Sequence, residues 1–161
     1  MKNKPKHNKK LLLIASVGGH LTQLLELKSL FEQYDYHIIT ESTQVTKKLK
    51  SQYPMSFLVY GARNNPIRYI FKFSFNIIKS FILFLQHRPD IIITTGAHTS
   101  VPMCYIAKLF GKKVVFIESF AKSQSPTLAG RIVYPIADLF IVQWESMKKF
   151  YPKATYGGSI Y

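Results

Sequence analysis

The sequence predicts an α/β fold: one Rossmann-like, doubly wound parallel sheet in a single domain. Two observations carry that prediction. Short apolar runs alternate with helical patterns from one end of the chain to the other, the pattern of βαβ units. Several of the runs are near-continuous Ile, Val and Leu, as in strands covered on both faces. Size and composition agree. A chain of 161 residues with 47% hydrophobic side chains is one domain of ordinary length, and such a chain buries roughly 68–70% of its unfolded surface.

Residues 1–10, MKNKPKHNKK, hold five lysines and no acid and read as a solvated basic arm. The first strand follows at 11–17. This basic start and apolar run do not form a signal peptide, because the run leads into Gly-Gly-His and an amphipathic pattern instead of a small-residue cleavage site. A helix is expected at about 21–34, a strand at 36–40, a helix at 43–51 and a strand at 55–60. A long helix then runs over 66–87, followed by a strand at 90–95 and a helix at 99–110, with Pro102 early enough to be tolerated. Strands at 113–118 and 139–143 and helices at 126–134 and 145–151 complete the alternation. No repeat, low-complexity linker or second-domain boundary interrupts it. Cys104 is the only cysteine; it lies in an apolar helical pattern and reads as a core residue, so no internal disulfide forms.

In doubly wound sheets ligands bind beyond the carboxyl ends of the strands, so the loops after the strands hold the candidate site. Gly18, Gly19 and His20 follow the first strand, TGAHTSVP with Gly96 and His98 follows the fourth, and Glu118-Ser119 follows the fifth. Glycine lets a backbone turn tightly and approach a ligand. A helix start offers free N–H groups to an anion, and histidine is the side chain suited to moving a proton near neutral pH. The opposing reading is that small residues merely suit tight βα turns. Other chemistries are excluded by what is missing. There is no G-x-G-x-x-G and no Walker lysine loop for a nucleotide. No Asp-x-Asp pair is present to cage Mg or Mn, and no third ligand accompanies His20 and His98 to hold zinc. No cofactor and no metal are expected.

Net charge is +14, and its placement matters more than its size. From 42 to 89 there is no Asp or Glu, while eight Lys or Arg and nine Phe or Tyr fall in the same span. A basic and aromatic stretch suits nucleic acid or an anionic membrane; no nucleic-acid motif is present, which leaves the membrane. In the helix over 66–87, Arg68, Lys72, Asn76, Lys79 and Gln86 form one stripe about 80° wide, and nearly all the rest is Ile, Leu, Phe or Tyr. One reading is a sheet-covering helix with a snorkelling basic edge. The favoured one is an in-plane helix whose Arg68, Lys72 and Lys79 meet anionic head groups while its phenylalanines enter the acyl boundary. Lys72 and Lys79 interrupt the uncharged run of about 18 residues that a spanning helix needs.

With these loops in place, SVGGHLTQLLEL, TTGAHTSVPMC, IESFAKSQSPTLAGRIVYPIADLFIVQW and ATYGGSIY resemble the oligosaccharide-biosynthesis family of PssD and CpsF. That family also holds the membrane-anchoring subunit of the eukaryotic dolichol-linked N-acetylglucosaminyltransferase. More distantly the chain is similar to the amino-terminal, acceptor-binding half of MurG-type GT-B glycosyltransferases. The resemblance covers 11–161. It implies a membrane-associated subunit of a two-chain glycosyltransferase in capsular or exopolysaccharide biosynthesis, at the cytoplasmic face of the membrane. A sugar passes from a UDP-sugar to a lipid-diphosphate-linked acceptor, and this chain supplies the acceptor side.

Residue by residue, the resemblance places Gly18, Gly19 and His20 in the family's first glycine loop, and Gly96, Ala97, His98, Thr99 and Ser100 in its second. Gly18, Gly19, Gly96, His98, Thr99 and Ser100 are thereby expected to bind the acceptor's diphosphate, and His20 and Glu118 to be catalytic. Transfer needs the acceptor hydroxyl deprotonated. Glu118 has two readings, as the base itself or as the acceptor of His20's other ring N–H. A separate small donor-binding chain is the implied partner, and Tyr156, Gly157, Gly158, Ser159, Ile160 and Tyr161 are expected to dock on it, although a final edge strand would read the same. The alternative is a non-catalytic scaffold that recruits a catalytic glycosyltransferase. One departure matters: the eukaryotic subunit starts with a spanning helix, whereas a basic arm precedes the first strand here, so membrane attachment is expected from 66–87.

Overall fold

Strands β1 (His7–Ile14), β2 (Tyr34–Glu41), β3 (Met55–Leu58), β4 (Ile91–Thr94), β5 (Lys113–Ile117), β6 (Leu139–Val142) and β7 (Thr155–Tyr156) form one parallel sheet in the order β3-β2-β1-β4-β5-β6-β7. The structure is a computed structural model that describes residues 7–61 and 66–160, and of Pro66, Ile67 and Arg68 the backbone only. Residues 1–6 of the basic arm, Tyr161 and the side chain of Arg68 lie outside the described residues. Because β1 pairs with both β2 and β4, the strand order reverses beside it. At such a switch point the loops leaving the two central strands diverge to opposite faces and open a crevice.

Six α-helices among the described residues cover the sheet: α1 (Gly19–Leu25), α2 (Lys28–Gln33), α3 (Gln44–Leu49), α4 (Pro66–His87), α5 (Val101–Leu109) and α6 (Leu128–Val133). Alternation of side chains along each strand sends one set to each face. Leu11, Leu13, Ile38 and Ile93 pack with Leu21 and Leu24 of α1. Leu12, Ile14, Ile92, Val114 and Phe116 pack with Leu83 and Phe84 of α4, Cys104 of α5 and Val133 of α6. Cys104 is fully buried there, as its apolar surroundings in sequence predict. Two acids just before strands staple neighbouring strands: Lys10 N–H donates to Asp90 at 3.0 Å, and Val114 N–H donates to Asp138 at 2.9 Å. Burial pushes the Asp138 carboxyl up, but the Val114 N–H and the Lys113 and Lys108 ammonium groups outweigh it and hold the carboxyl down at about 2.

Several boundaries differ from the sequence expectation. Strand β1 starts at His7, so residues 7–10 belong to the sheet and not to the arm; His7 stacks on Tyr34 at 4.8 Å. The single helix expected at 21–34 is two, because the chain tightens at Glu26 and Leu27, whose N–H groups reach back three residues to Gln23 and Leu24. That turn keeps Leu27, Leu30 and Phe31 against the core. Residues 98–100 and 145–149 are 3-10 turns. The tail forms β7, hydrogen-bonded to β6 and continued by Gly157 N–H to Val142 O at 3.0 Å, so Tyr156 and Gly157 form an edge strand. Ile160 packs on the α1 side of the sheet, and its N–H donates to Gln143 Oε1 at 3.2 Å.

Helix α4 carries its polarity reversed. Asn76 is buried, its amide NH₂ donating to Val59 O and its carbonyl accepting from Val59 N–H, each at 2.8 Å. Ser80, Leu83 and Phe84 are buried beside it. Phe71 is 73% exposed, and Ile70, Phe75, Ile78, Phe81, Ile82 and Leu85 are exposed too. The middle of the polar stripe thus faces the protein: Asn76 is buried and Lys79 half-buried, while Lys72, itself exposed, donates Nζ to Tyr60 O at 3.2 Å and Gln86 is exposed. By length and composition alone Tyr69–His87 would cross a membrane.

Candidate functional site

The loops leaving β1 and β4 meet at the reversal of strand order. Gly18, at φ 86°, and Gly96, at φ 107°, take conformations that side chains disfavour. A Cβ on Gly96 would also press on the His20 ring and on Phe116, each 3.4 Å away. Ala97 keeps a φ of 73° with ψ 161°, a region essentially reserved for glycine and costing of order 1–3 kcal/mol. It lines a cleft of about 410 Å³ together with His20, His98, Lys122, Tyr69, Phe73 and Ile132. The lining mixes two histidines and a lysine with aromatic and aliphatic side chains.

His20 is held by one residue, twice. Its Nδ1 lies 2.7 Å from Thr95 O, and the Thr95 hydroxyl donates back to His20 O at 2.7 Å. A carbonyl only accepts, so Nδ1 carries the proton and Nε2 keeps the lone pair. The ring N–H that Glu118 was expected to accept therefore goes to Thr95. Glu118 is 1% exposed and bonded throughout: Ser119 N–H at 2.9 Å, Thr127 N–H at 3.2 Å, the Thr127 hydroxyl at 3.0 Å and the Tyr151 hydroxyl at 2.9 Å. It is absent from the cleft lining. Burial, and then the Glu118 charge, push the Tyr151 hydroxyl well above the usual phenol range, so it donates to the carboxylate. Gly130 packs where a Cβ would strike Glu118 and Tyr151.

Of the second loop, Ala97 and His98 line the cleft; Gly96 is buried behind it, as Gly18 and Gly19 are also absent from the lining, and the Thr99 and Ser100 hydroxyls turn inward. Thr99 Oγ1 donates to Glu41 Oε1 at 2.8 Å and Ser100 Oγ to Ala97 O at 2.8 Å; both residues are buried. Their side chains serve the loop, not a ligand. His98 Nε2 lies 3.8 Å from Glu41 Oε1, and its ring faces Tyr69 at 5.5 Å and Phe73 at 6.5 Å. Lys122 is brought in by the turn after β5, its N–H donating to Ser119 O at 3.0 Å.

Sequence reasoning passed over Glu41, Thr95, Lys122 and Tyr151. Glu41 and Thr95 each end an apolar strand with a polar residue, a visible signal; Lys122 and Tyr151 carry none. Among the described residues no three His, Cys, Asp or Glu side chains gather as a metal would require.

The family described as "Oligosaccharide biosynthesis protein Alg14 like" matches residues 11–160. The mouse UDP-N-acetylglucosamine transferase subunit ALG14 is 33% identical over 184 residues, spanning 97% of this chain and 85% of the relative. The fission-yeast subunit (Schizosaccharomyces pombe) is 29% identical, over 99% of this chain and 86% of its own. Among solved structures, MurG of Acinetobacter baumannii superposes with TM-score 0.71 at 19% identity over 86% of the chain, and UDP-N-acetylglucosamine 2-epimerase of Rickettsia bellii with 0.70 at 15% over 91%. The chain spans 42% of each of those two proteins, and the likeness to them is one of fold. With the family matched from the first buried strand residue to the last described one, the chain belongs to the Alg14-like oligosaccharide biosynthesis proteins.

Proposed function

We propose that this chain is the acceptor-side, membrane-associated subunit of a two-chain glycosyltransferase that moves a sugar from a UDP-sugar to a lipid-diphosphate-linked saccharide. The observation that carries the reading is the cleft itself. Its lining joins His20, His98 and Lys122, which suit a diphosphate, to Tyr69 and Phe73 of α4, a helix whose outward face is apolar and exposed. A head group bound there leaves its lipid beside the helix that offers itself to lipid. Kinship with subunits named for UDP-N-acetylglucosamine transfer supports that donor. The resemblance to PssD and CpsF supports a capsular or exopolysaccharide setting at the cytoplasmic face.

In the reaction the acceptor hydroxyl oxygen attacks the sugar's anomeric carbon, the bond from that carbon to the UDP oxygen breaks, and the hydroxyl proton passes to His20 Nε2. Thr95 supports this by fixing the tautomer. Gly18, Gly19, Gly96, His98 and Lys122 receive the diphosphate. Glu118 becomes a positioning residue that fixes the turn carrying Lys122. A separate small chain brings the donor, and the tail from Tyr156 to Tyr161, whose Tyr156 and Gly157 pair with β6, is its docking site.

The test is reconstitution with a synthetic lipid-diphosphate acceptor and UDP-N-acetylglucosamine. The chain alone is expected to be inactive and to become active with its companion. Robust transfer by the purified single chain overturns the half-enzyme reading. Full transfer by His20→Ala in the complex turns the chain into a scaffold.

A further inference from the structure

We propose that Glu41 is a positioning residue that holds His98 as an imidazolium, making it the cation that meets the acceptor's diphosphate. The proposal rests on reading the cleft as the acceptor site. It starts from a contrast between two buried carboxylates. Glu118 is satisfied at both oxygens by four donors, all within 3.2 Å. Glu41 is as deeply buried, at 2% exposure, yet it receives one short bond, from the Thr99 hydroxyl at 2.8 Å, and a long one from Val17 N–H at 3.4 Å. An ionised carboxylate taken out of water needs a compensating charge or a fuller set of donors.

Among the described residues Glu41 is paired with His98, whose Nε2 lies 3.8 Å from Oε1. Two features favour its charged form. The carboxylate favours the protonated ring, and the Tyr69 ring, tilted 58° to it with centroids 5.5 Å apart, is an aromatic neighbour that tolerates a cation within about 6 Å. Lys122 lines the same cleft and opposes that form, and Glu41 acts against it from 3.8 Å. Its contacts also reach the loop after β1 through Val17 and the loop after β4 through Thr99. One buried charge thereby ties both glycine loops together and sets the sign of the group between them. The His98 side chain is 24% exposed, enough to meet a ligand from the cleft while its other edge faces Glu41. A diphosphate bound without a metal needs such fixed cations.

The experiment is a histidine titration of the full chain by ¹³C-edited NMR, with the His98 signal assigned by its loss in His98→Gln. In Glu41→Gln the proton affinity of His98 is expected to fall about tenfold or more, with His20 and His37 unmoved. Thr99→Val removes the short hydroxyl bond but leaves the charge, and is expected to leave the His98 titration where it was. A purely structural role for Glu41 would make the two variants alike. Inorganic pyrophosphate then serves as the probe: its Kd is expected to rise about tenfold in Glu41→Gln and, in the parent, to rise with pH as His98 loses its proton. Unchanged His98 titration in a folded Glu41→Gln overturns the proposal. A shifted titration with no response of His98 to pyrophosphate or lipid diphosphate leaves the Glu41–His98 pair standing and overturns the cleft as the acceptor site.

Discussion

Position 20 is served by Thr95 on both sides, ring and backbone, and the consequences are local. His20→Ala in the reconstituted complex is expected to lower turnover about 10²–10⁴-fold with companion binding unchanged, measured by transfer rate and co-purification. Gly130→Ala is expected to cost about 2–3 kcal/mol, since the new methyl would displace the Glu118–Tyr151 pair; thermal unfolding reads it. At this scale the sequence showed where to look and not what each residue does. Gly18-Gly19-His20 and Gly96 stand out because turn chemistry is local. The partners of Glu118 and Glu41 lie as far as 33 and 58 positions away, and no spacing rule reveals them. Glu118, read either as a base or as the acceptor of the His20 ring N–H, is bonded to other partners throughout, and in the loop expected to bind diphosphate the Thr99 and Ser100 hydroxyls bond to Glu41 and Ala97.

Among the elements α4 is the one the sequence describes best and positions worst. Its bounds, Pro66–His87, are those the pattern predicts, because 22 residues of periodic apolar sequence leave little room for error. The direction of its faces was not legible: a lone Asn in a basic stripe reads as solvent-exposed until Val59 is found to take both ends of its amide. On the proposed membrane reading, the outward Phe and Ile side chains are expected to make apolar insertion the main contact. Replacing Phe71, Phe75 and Ile78 together by Ser is expected to abolish co-sedimentation with anionic vesicles at high salt. Changing Arg68, Lys72 and Lys79 to Gln is expected to remove only a salt-sensitive part, about 1 kcal/mol per charge near the surface. Loss of all binding in the second variant and none in the first would reverse that order. The division of the 21–34 segment into α1 and α2 was hidden because its apolar spacing continues across the turn.

For the whole molecule the parallel, doubly wound sheet was legible from alternation alone, and β7 only as an alternative to a docking tail, since two residues carry no period. Global stability has a pH term built into the floor of the sheet. Burial, then the charge of His87 stacked 3.8 Å away, lower His37 to about 4. The unfolded chain binds the proton at an ordinary histidine value and the folded chain resists it. This contribution is whole above about pH 6.5 and is lost as pH falls towards 4. Because His37 is half-exposed the loss is discounted to about 1–2 kcal/mol. Urea midpoints at pH 7.5 and 4.5 should show it in the parent and lose most of it in His37→Gln.

The lone thiol beneath α5 has a practical use of its own. Burial pushes Cys104 up to about 12, so at neutral pH it is protonated as well as covered, and a thiol reagent modifies it only when α5 lifts from the sheet. With no second cysteine in the chain, the rate of labelling is a clock for that single opening. At low reagent the clock counts how often the layer stands open, and at saturating reagent how fast it opens. Companion or vesicles that grip α4, packed against α5, should slow it.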